Sequence, residues 1–444
     1  MKTSPRTLIP LLGLLATMIG ATSRSTQAED RPPNVLLIIS DDQAWTDYSF
    51  MGHPQIETPH IDRIAAEGLT FPRGYVPSSL CSPSLATIIT GLFPHQHKVT
   101  SNDPPLPEGK TNPQARNDPD FLAQRREMIE FFEASPTLPR LLADRDYLSL
   151  QTGKWWGGSY QTGGFTKGLT HGDPDRGGRH GDEGLKIGRE GLEPVFEFIA
   201  SAREQDAPFF VWYAPFLPHT PHNPPERLLE KYRDKAPTLP IARYWAMCDW
   251  FDETCGALLD HLDEQKIAQD TLVVYVCDNG WIQQPDANGF APRSKQSPHD
   301  GGLRTPIMIR RPGHIPPTTS DHLASSIDLA PTILAAAGLE PTPEMPGINL
   351  LDEAAVEARD AIFGDIYTHN AVDIHDPASS LRYRWVIEGD WKLILPDPRN
   401  EPDAEVELYK IIEDPLETRN LAPDHPEQVE RLEQRINDWW SANG

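Results

Sequence analysis

The chain is short of cysteine, of cations and of long apolar runs, and each shortage removes a class of protein. Four cysteines in 444 residues cannot form a disulfide framework, and a chain of this length buries enough core to need none. Forty Lys and Arg against 65 Asp and Glu leave a formal charge of −25. That balance argues against nucleic acid or an anionic membrane surface as the partner, so an anionic substrate needs a local cationic site. The apolar run Leu8 to Gly20 is about 13 residues, short of the roughly 20 that span a bilayer, and no later stretch is apolar enough to cross one. There is no internal repeat.

At 38% hydrophobic and 24% charged, the composition is that of a globular protein. The length suits two or three domains of roughly 150 residues, or one large α/β domain with an annex. Residues 1–28 read as an export signal: Lys2 and Arg6 precede the apolar run, and Thr26-Gln27-Ala28 offers a small-residue cleavage site. The mature chain is therefore expected in the periplasm or outside the cell, without a membrane span.

Beyond residue 30, apolar runs bounded by turn residues predict buried parallel strands at Val35 to Ile39, Tyr147 to Leu150, Pro208 to Tyr213, Leu272 to Val276 and Pro306 to Arg310. Helical patterns lie between them at Ile61 to Gly68, Gly191 to Arg203 and Ile241 to Gln265. The alternation predicts an α/β fold with a mostly parallel sheet flanked by helices over residues 30–359. Residues 360–444 read as a smaller C-terminal subdomain, with antiparallel strands at Asp360 to Ile366, Tyr383 to Glu388 and Trp391 to Leu395 and a helix at Pro426 to Trp440. Ser101 to Asp120, rich in proline and charge, and Gly157 to Gly191, with twelve glycines, read as surface loops or lids.

The chemistry-bearing residues follow the apolar runs. Asp41-Asp42 follow the first, Lys154 the second, His219 the third, and Cys277-Asp278-Asn279 the fourth. In an open parallel sheet the carboxyl ends share one edge, where ligands bind. Asp41, Asp42, Asp278 and Asn279 make an oxygen-only set suited to Ca²⁺ or Mg²⁺, and without a cation the three carboxylates would repel one another. The structural alternative is that they cap helices and make turns. Cys81, with Pro83 in the first turn and Gly91 as a stop, is placed at a helix N-terminus, where the macrodipole favours a developing negative charge.

The segment from Cys81 to Gly91 resembles the signature of the type I sulfatases, in which Cys-x-Pro-x-Arg directs oxidation of the cysteine to formylglycine. The chain is similar to that family from residue 34 to about 421, in the family's order: Asn34 to Asp42, Thr58 to Asp62, Gly153-Lys154-Trp155, Pro218-His219-Thr220-Pro221, Asp278-Asn279-Gly280, Gly301 to Pro306, and Glu407-Leu408-Tyr409 with Asp414-Pro415. The resemblance implies an alkaline-phosphatase-like α/β fold and a divalent cation, calcium favoured over magnesium, bound by Asp41, Asp42, Asp278, Asn279 and the modified Cys81. Lys154, His219 and Lys295 would contact the sulfate or leaving group, with His219 protonating the departing oxygen. It also implies a formylglycine-generating enzyme acting before export and a sulfated small molecule or glycan as substrate. A thiol attacking sulfur would leave a stable adduct, whereas an aldehyde hydrate expels sulfate by re-forming its carbonyl.

Two positions depart from the pattern: Leu85 stands in place of the signature arginine, and Trp156 in place of a histidine after Gly-Lys-Trp. Lys167, His171, Arg176, Arg179 and His180 of the glycine-rich stretch are candidate substitutes, and His95 and His97 candidate pocket residues. The alternatives are a phosphoester or phosphonate hydrolase on the same scaffold and a sulfated-glycan binder without turnover. Cys248 and Cys255, seven apart in one helix, are too far apart to bridge, and Cys277 reads as core.

Overall fold

A computed structural model describes residues 1–2, 31–170 and 186–442. Residues 1–32 and the chain from Pro33 onward are separate units, and every element below belongs to the second. Most of the predicted export signal, and His171, Arg176, Arg179 and His180, lie outside the described residues. No helix among the described residues is long and apolar enough to cross a membrane.

The strands are β1 (Asn34–Ser40), β2 (Leu69–Phe71), β3 (Gly74–Tyr75), β4 (Leu148–Gly153), β5 (Lys167–Gly168), β6 (Phe209–Ala214), β7 (Thr271–Cys277), β8 (Ile307–Arg310), β9 (Thr318–Thr319), β10 (Ala324–Ser325), β11 (Ala361–Tyr367), β12 (Leu381–Glu388), β13 (Trp391–Pro396) and β14 (Glu407–Lys410). Eight form the main sheet in the order β5-β4-β6-β1-β7-β8-β2-β9. β6 and β7 are buried along their whole length, as continuous apolar runs require when helices cover both faces. Alternation in β1 divides the core: Val35, Leu37 and Ile39 pack with the buried helix Cys81–Thr90, while Leu36 and Ile38 pack with the long helix Leu239–Glu264.

The predicted strand ending at Arg310 is present, but β8 runs antiparallel to β7. The intervening chain comes back to the carboxyl edge. Gly280 N–H donates to Gly302 O at 2.8 Å, and a Cβ on Gly280 would sit 2.2 Å from Gly301 O. The chain therefore re-enters the sheet from the end where β7 left it.

β11 to β14 form a separate antiparallel sheet in sequence order. The helix Pro426–Trp439 covers one face through Leu432 and Ile436, and Trp385, Ile387 and Ile394 face the main core. The two expected loops are more structured than their composition suggests. Ser101, Asn102 and Asp103 are buried, Asn112–Ala115 forms a short helix, and Lys167–Gly168 extends the sheet edge as β5.

Candidate active site

Strand register brings the site together. Ser40 of β1 pairs with Cys277 of β7, and Gly153 of β4 pairs with Ala214 of β6, so Asp41, Asp278 and Lys154 leave the sheet at one edge. Gly153 is required there: its φ is +73°, and a Cβ would lie 1.7 Å from Ala214 O. That close approach lets Lys154 N–H donate to Ala214 O at 2.7 Å and turns its side chain across the strand ends.

Lys154 is fully buried, and its Nζ donates to Asp41 Oδ1 at 2.6 Å and Asp278 Oδ2 at 2.8 Å. Lys295 reaches in from the loop before the Asp300–Leu303 turn, its Nζ 2.6 and 2.8 Å from the two oxygens of Asp42. Asn279 Nδ2 donates to Asp42 Oδ1 at 2.7 Å, and Asp42 N–H to Asp278 Oδ1 at 3.3 Å. His219 Nε2 lies 3.4 Å from Asp42 Oδ2, while its Nδ1 is 2.6 Å from Thr220 O and so carries the proton in the neutral ring. The ligating atoms of Asp41, Asp42, Cys81 and His219 lie within 4.8 Å of one another. Asp278 and Asn279 join that group through Lys154 and Asp42.

The electrostatics follow from burial. It pushes the Asp41 carboxyl up against the pull of Lys154, and pushes Asp278 up to about 7 with Asp41 adding to the effect. For Asp42 burial is outweighed by Lys295, His219 and Lys154, and the carboxyl falls to about 2. Both lysines are held above their ordinary range by the carboxylates despite burial. Burial lowers His219 to about 4, so it is neutral at pH 7 in the free site. The Cys81 thiol is pushed up by burial more than Lys154 and Lys295 pull it down, so this environment favours the protonated thiol at rest.

The donor set fits a hard divalent cation. With three ionised carboxylates and two ammonium groups the cluster carries a charge of about −1, and Asp41 Oδ2 and Asn279 Oδ1 are buried without hydrogen-bond partners. Oxygen acceptors in that state need a cation or water.

The sequence did not single out three residues around this cluster. Asn102 Oδ1 accepts from Ser82 N–H at 2.9 Å, capping the Cys81 helix from a distant loop. Arg189 donates to Phe216 O at 3.1 Å and His219 O at 3.4 Å and so fixes the segment carrying His219. His222 repeats the Pro-His step of Pro218-His219, which was the one legible signal for it.

Other expected residues lie elsewhere. His97 spends both ring nitrogens on structure, Nε2 on Thr87 Oγ1 at 3.2 Å and Nδ1 on Val99 N–H at 3.1 Å. His95 binds Asp365 at 2.9 Å and stacks on Trp440. Lys167 lies over the Phe198 ring at 5.9 Å. Leu85 is wholly buried in the core, and Trp156 contributes a ring 6.0 Å from Lys154 Nζ. Cys248, Cys255 and Cys277 are buried free thiols.

A family model described as Sulfatase matches residues 33–339, and one described as N-sulphoglucosamine sulphohydrolase, C-terminal, matches residues 294–441. The chain is 30% identical over 378 residues to N-acetylgalactosamine-6-sulfatase of Canis lupus familiaris, covering 76% of this chain and 69% of that one. Among solved structures, one described as in complex with its substrate D-glucosamine-2-N,6-O-disulfate shares the fold at TM-score 0.70 and 20% identity, covering 93% of this chain and 98% of that one. The phosphonate monoester hydrolase of Agrobacterium radiobacter shares it at TM-score 0.66 and 19% identity, covering 91% and 95%. With the first model matching well over half its length, and with both lysines and the carboxylates converging beside Cys81, the chain belongs to the sulfatase family and is a sulfuric ester hydrolase.

Proposed function

We propose that the enzyme hydrolyses a sulfate monoester of a carbohydrate, with Cys81 oxidised to formylglycine and one divalent cation, Ca²⁺ in preference to Mg²⁺. The observation that carries this reading is the pairing of Lys154 with Asp41 and Asp278, and of Lys295 with Asp42, in a buried carboxylate cluster within reach of Cys81. Asp41, Asp42, Asp278, Asn279 and residue 81 would hold the cation, which when bound polarises a sulfuryl oxygen and raises the net charge of the cluster from about −1 to +1. Formylglycine at residue 81 would supply a hydrated aldehyde: one hydroxyl would attack sulfur as the bond from sulfur to the sugar oxygen breaks, and loss of the proton from the other would re-form the carbonyl and break the C–O bond to sulfate.

The chain's own residues do the rest. Lys154 and Lys295, both kept charged, turn their N–H groups on the sulfuryl oxygens, stabilising charge as it builds. His219 takes up a proton at Nε2 when the anionic ester raises its basicity, and passes it to the departing oxygen. Phe216 and Trp156, with rings 5.4 and 6.0 Å from Lys154 Nζ, keep water from that ammonium. In this reading residues 30–359 carry the chemistry and 360–444 brace it. Residues 1–28 direct export to the periplasm or beyond after a formylglycine-generating enzyme has acted.

A carbohydrate substrate is supported by relatives named for N-acetylgalactosamine sulfate and by the fold neighbour bound to a glucosamine disulfate. The test is sulfate release from O-sulfated hexosamines beside phosphorus-ester cleavage of matched phosphonate monoesters. Sulfate release that stops with chelator and returns with Ca²⁺ supports the reading. Faster phosphonate cleavage overturns it.

A further inference from the structure

His222 is the side chain near the site whose polar atoms are least accounted for. Its Nδ1 and Nε2 are both shielded from solvent and neither has a partner among the described residues. Its ring lies 5.4 Å from the Tyr244 ring and 5.9 Å, edge-on, from the Trp281 ring. Trp281 in turn lies 5.6 Å from Lys295 Nζ, the group bound to Asp42. His222 lies three positions along the chain from His219 and near enough to Asp42 and Arg189 to feel their charges. It therefore stands just outside the carboxylate cluster, on the side of His219.

The segment carrying it is fixed. Arg189 donates to His219 O and, through Nη1, to Asn223 Oδ1 at 2.7 Å, so both flanks of His222 are tied to one guanidinium. Burial lowers the imidazole to about 4, and it stays neutral with one donor and one acceptor. A sulfate group accepts only, and would leave the acceptor nitrogen unmet. A hydroxyl both donates and accepts, so it meets both nitrogens, and Trp281, buried and packed against the ring, holds the imidazole in place.

We propose that His222, with Trp281 beside it, is a specificity-determining residue that hydrogen-bonds a free hydroxyl of the leaving sugar next to the scissile sulfate. This rests on the carbohydrate sulfatase reading above. The class of substrate is a sulfated sugar with an unsubstituted hydroxyl near the ester. A fully substituted ring or a plain aryl group offers His222 nothing.

The test compares kcat/KM for an O-sulfated hexosamine with that for 4-nitrophenyl sulfate in the wild-type enzyme, His222→Ala and His222→Gln, with thermal melting of each. The expected result is a fall of tenfold or more in the sugar-to-aryl ratio for His222→Ala, expressed mainly in KM. Gln keeps a donor and an acceptor and regains part of it. An unchanged ratio in both variants, or equal losses on both substrates, overturns the subsite while leaving the sulfatase reading intact. Wild-type enzyme that cleaves the aryl ester but no sulfated sugar removes the carbohydrate reading, and the subsite with it.

Discussion

Asn102 Oδ1 accepts the backbone N–H of Ser82 at 2.9 Å, so the helix that begins at Cys81 is capped by a residue twenty positions further along the chain. Asn102 is held in turn by the chain after β11: its N–H donates to His369 O at 2.9 Å, and Ala371 N–H donates to Asp103 O at 2.8 Å. The chain that follows β11 thereby sets the first turn of the helix that presents Cys81.

Replacing Asn102 by alanine leaves a buried N–H unmet. The expected cost is about 1 kcal/mol of stability, the usual worth of a helix cap, together with a fall in kcat. Asn102→Asp keeps the acceptor and is expected to recover most of the stability. Urea unfolding of the two variants checks this.

Lys154→Met leaves Asp41 and Asp278 facing each other without their shared ammonium. In chelator the variant is expected to lose on the order of 3 kcal/mol, the scale of a broken buried ion pair, and added Ca²⁺ to restore part of it. Its kcat is expected to fall by roughly 100-fold or more, as for removal of one charge-stabilising donor. A melting temperature insensitive to Ca²⁺ in both wild type and variant would contradict the cation site.

His97 gives a pH dependence whose sign is fixed by geometry. Its Nδ1 accepts Val99 N–H, and burial lowers its pKa from 6.5 to about 3, so the folded protein excludes the proton that the unfolded chain binds. The stability it contributes is present above about 6.5 and is lost as pH falls toward 3. By pH 5 the loss is about 2 kcal/mol relative to a variant without the imidazole. Unfolding of wild type and His97→Asn at pH 7 and pH 5 measures it as the difference of differences.

Lys392 of β13 joins the C-terminal sheet to the loop of Lys295. Fully buried, it binds Asp300 Oδ1 at 2.8 Å and Glu417 Oε1 at 2.7 Å. Lys392→Met strands two buried carboxylates, and the expected loss is roughly 3 to 5 kcal/mol. Asp300 opens the turn that packs on Gly280, so activity is expected to fall with stability and to recover in Lys392→Arg less than fully.

The parts of the site legible in the sequence are those tied to strand ends. Asp41, Lys154 and Asp278 follow apolar runs, and parallel direction alone puts them on one edge. The direction of β8 was not legible, because an apolar run reads the same both ways and the reversal depends on Gly280 meeting Gly301. Lys295 was recommended only by family spacing, since nothing local marks a loop lysine that turns inward. Asn102 and Arg189 act through backbone groups of distant segments, for which single-sequence patterns carry no signal. His95 and His97 looked like pocket residues because they follow the signature helix, but they lie past its C-terminal end, while the chemistry gathers at its start.

The most direct test of the account is the mass of the peptide containing residue 81, taken from protein made in its native host and shown to release sulfate from a sulfated sugar. The expected peptide is lighter by the difference between a lost SH and H and a gained oxygen, despite Leu85. An intact cysteine in fully active protein would contradict it.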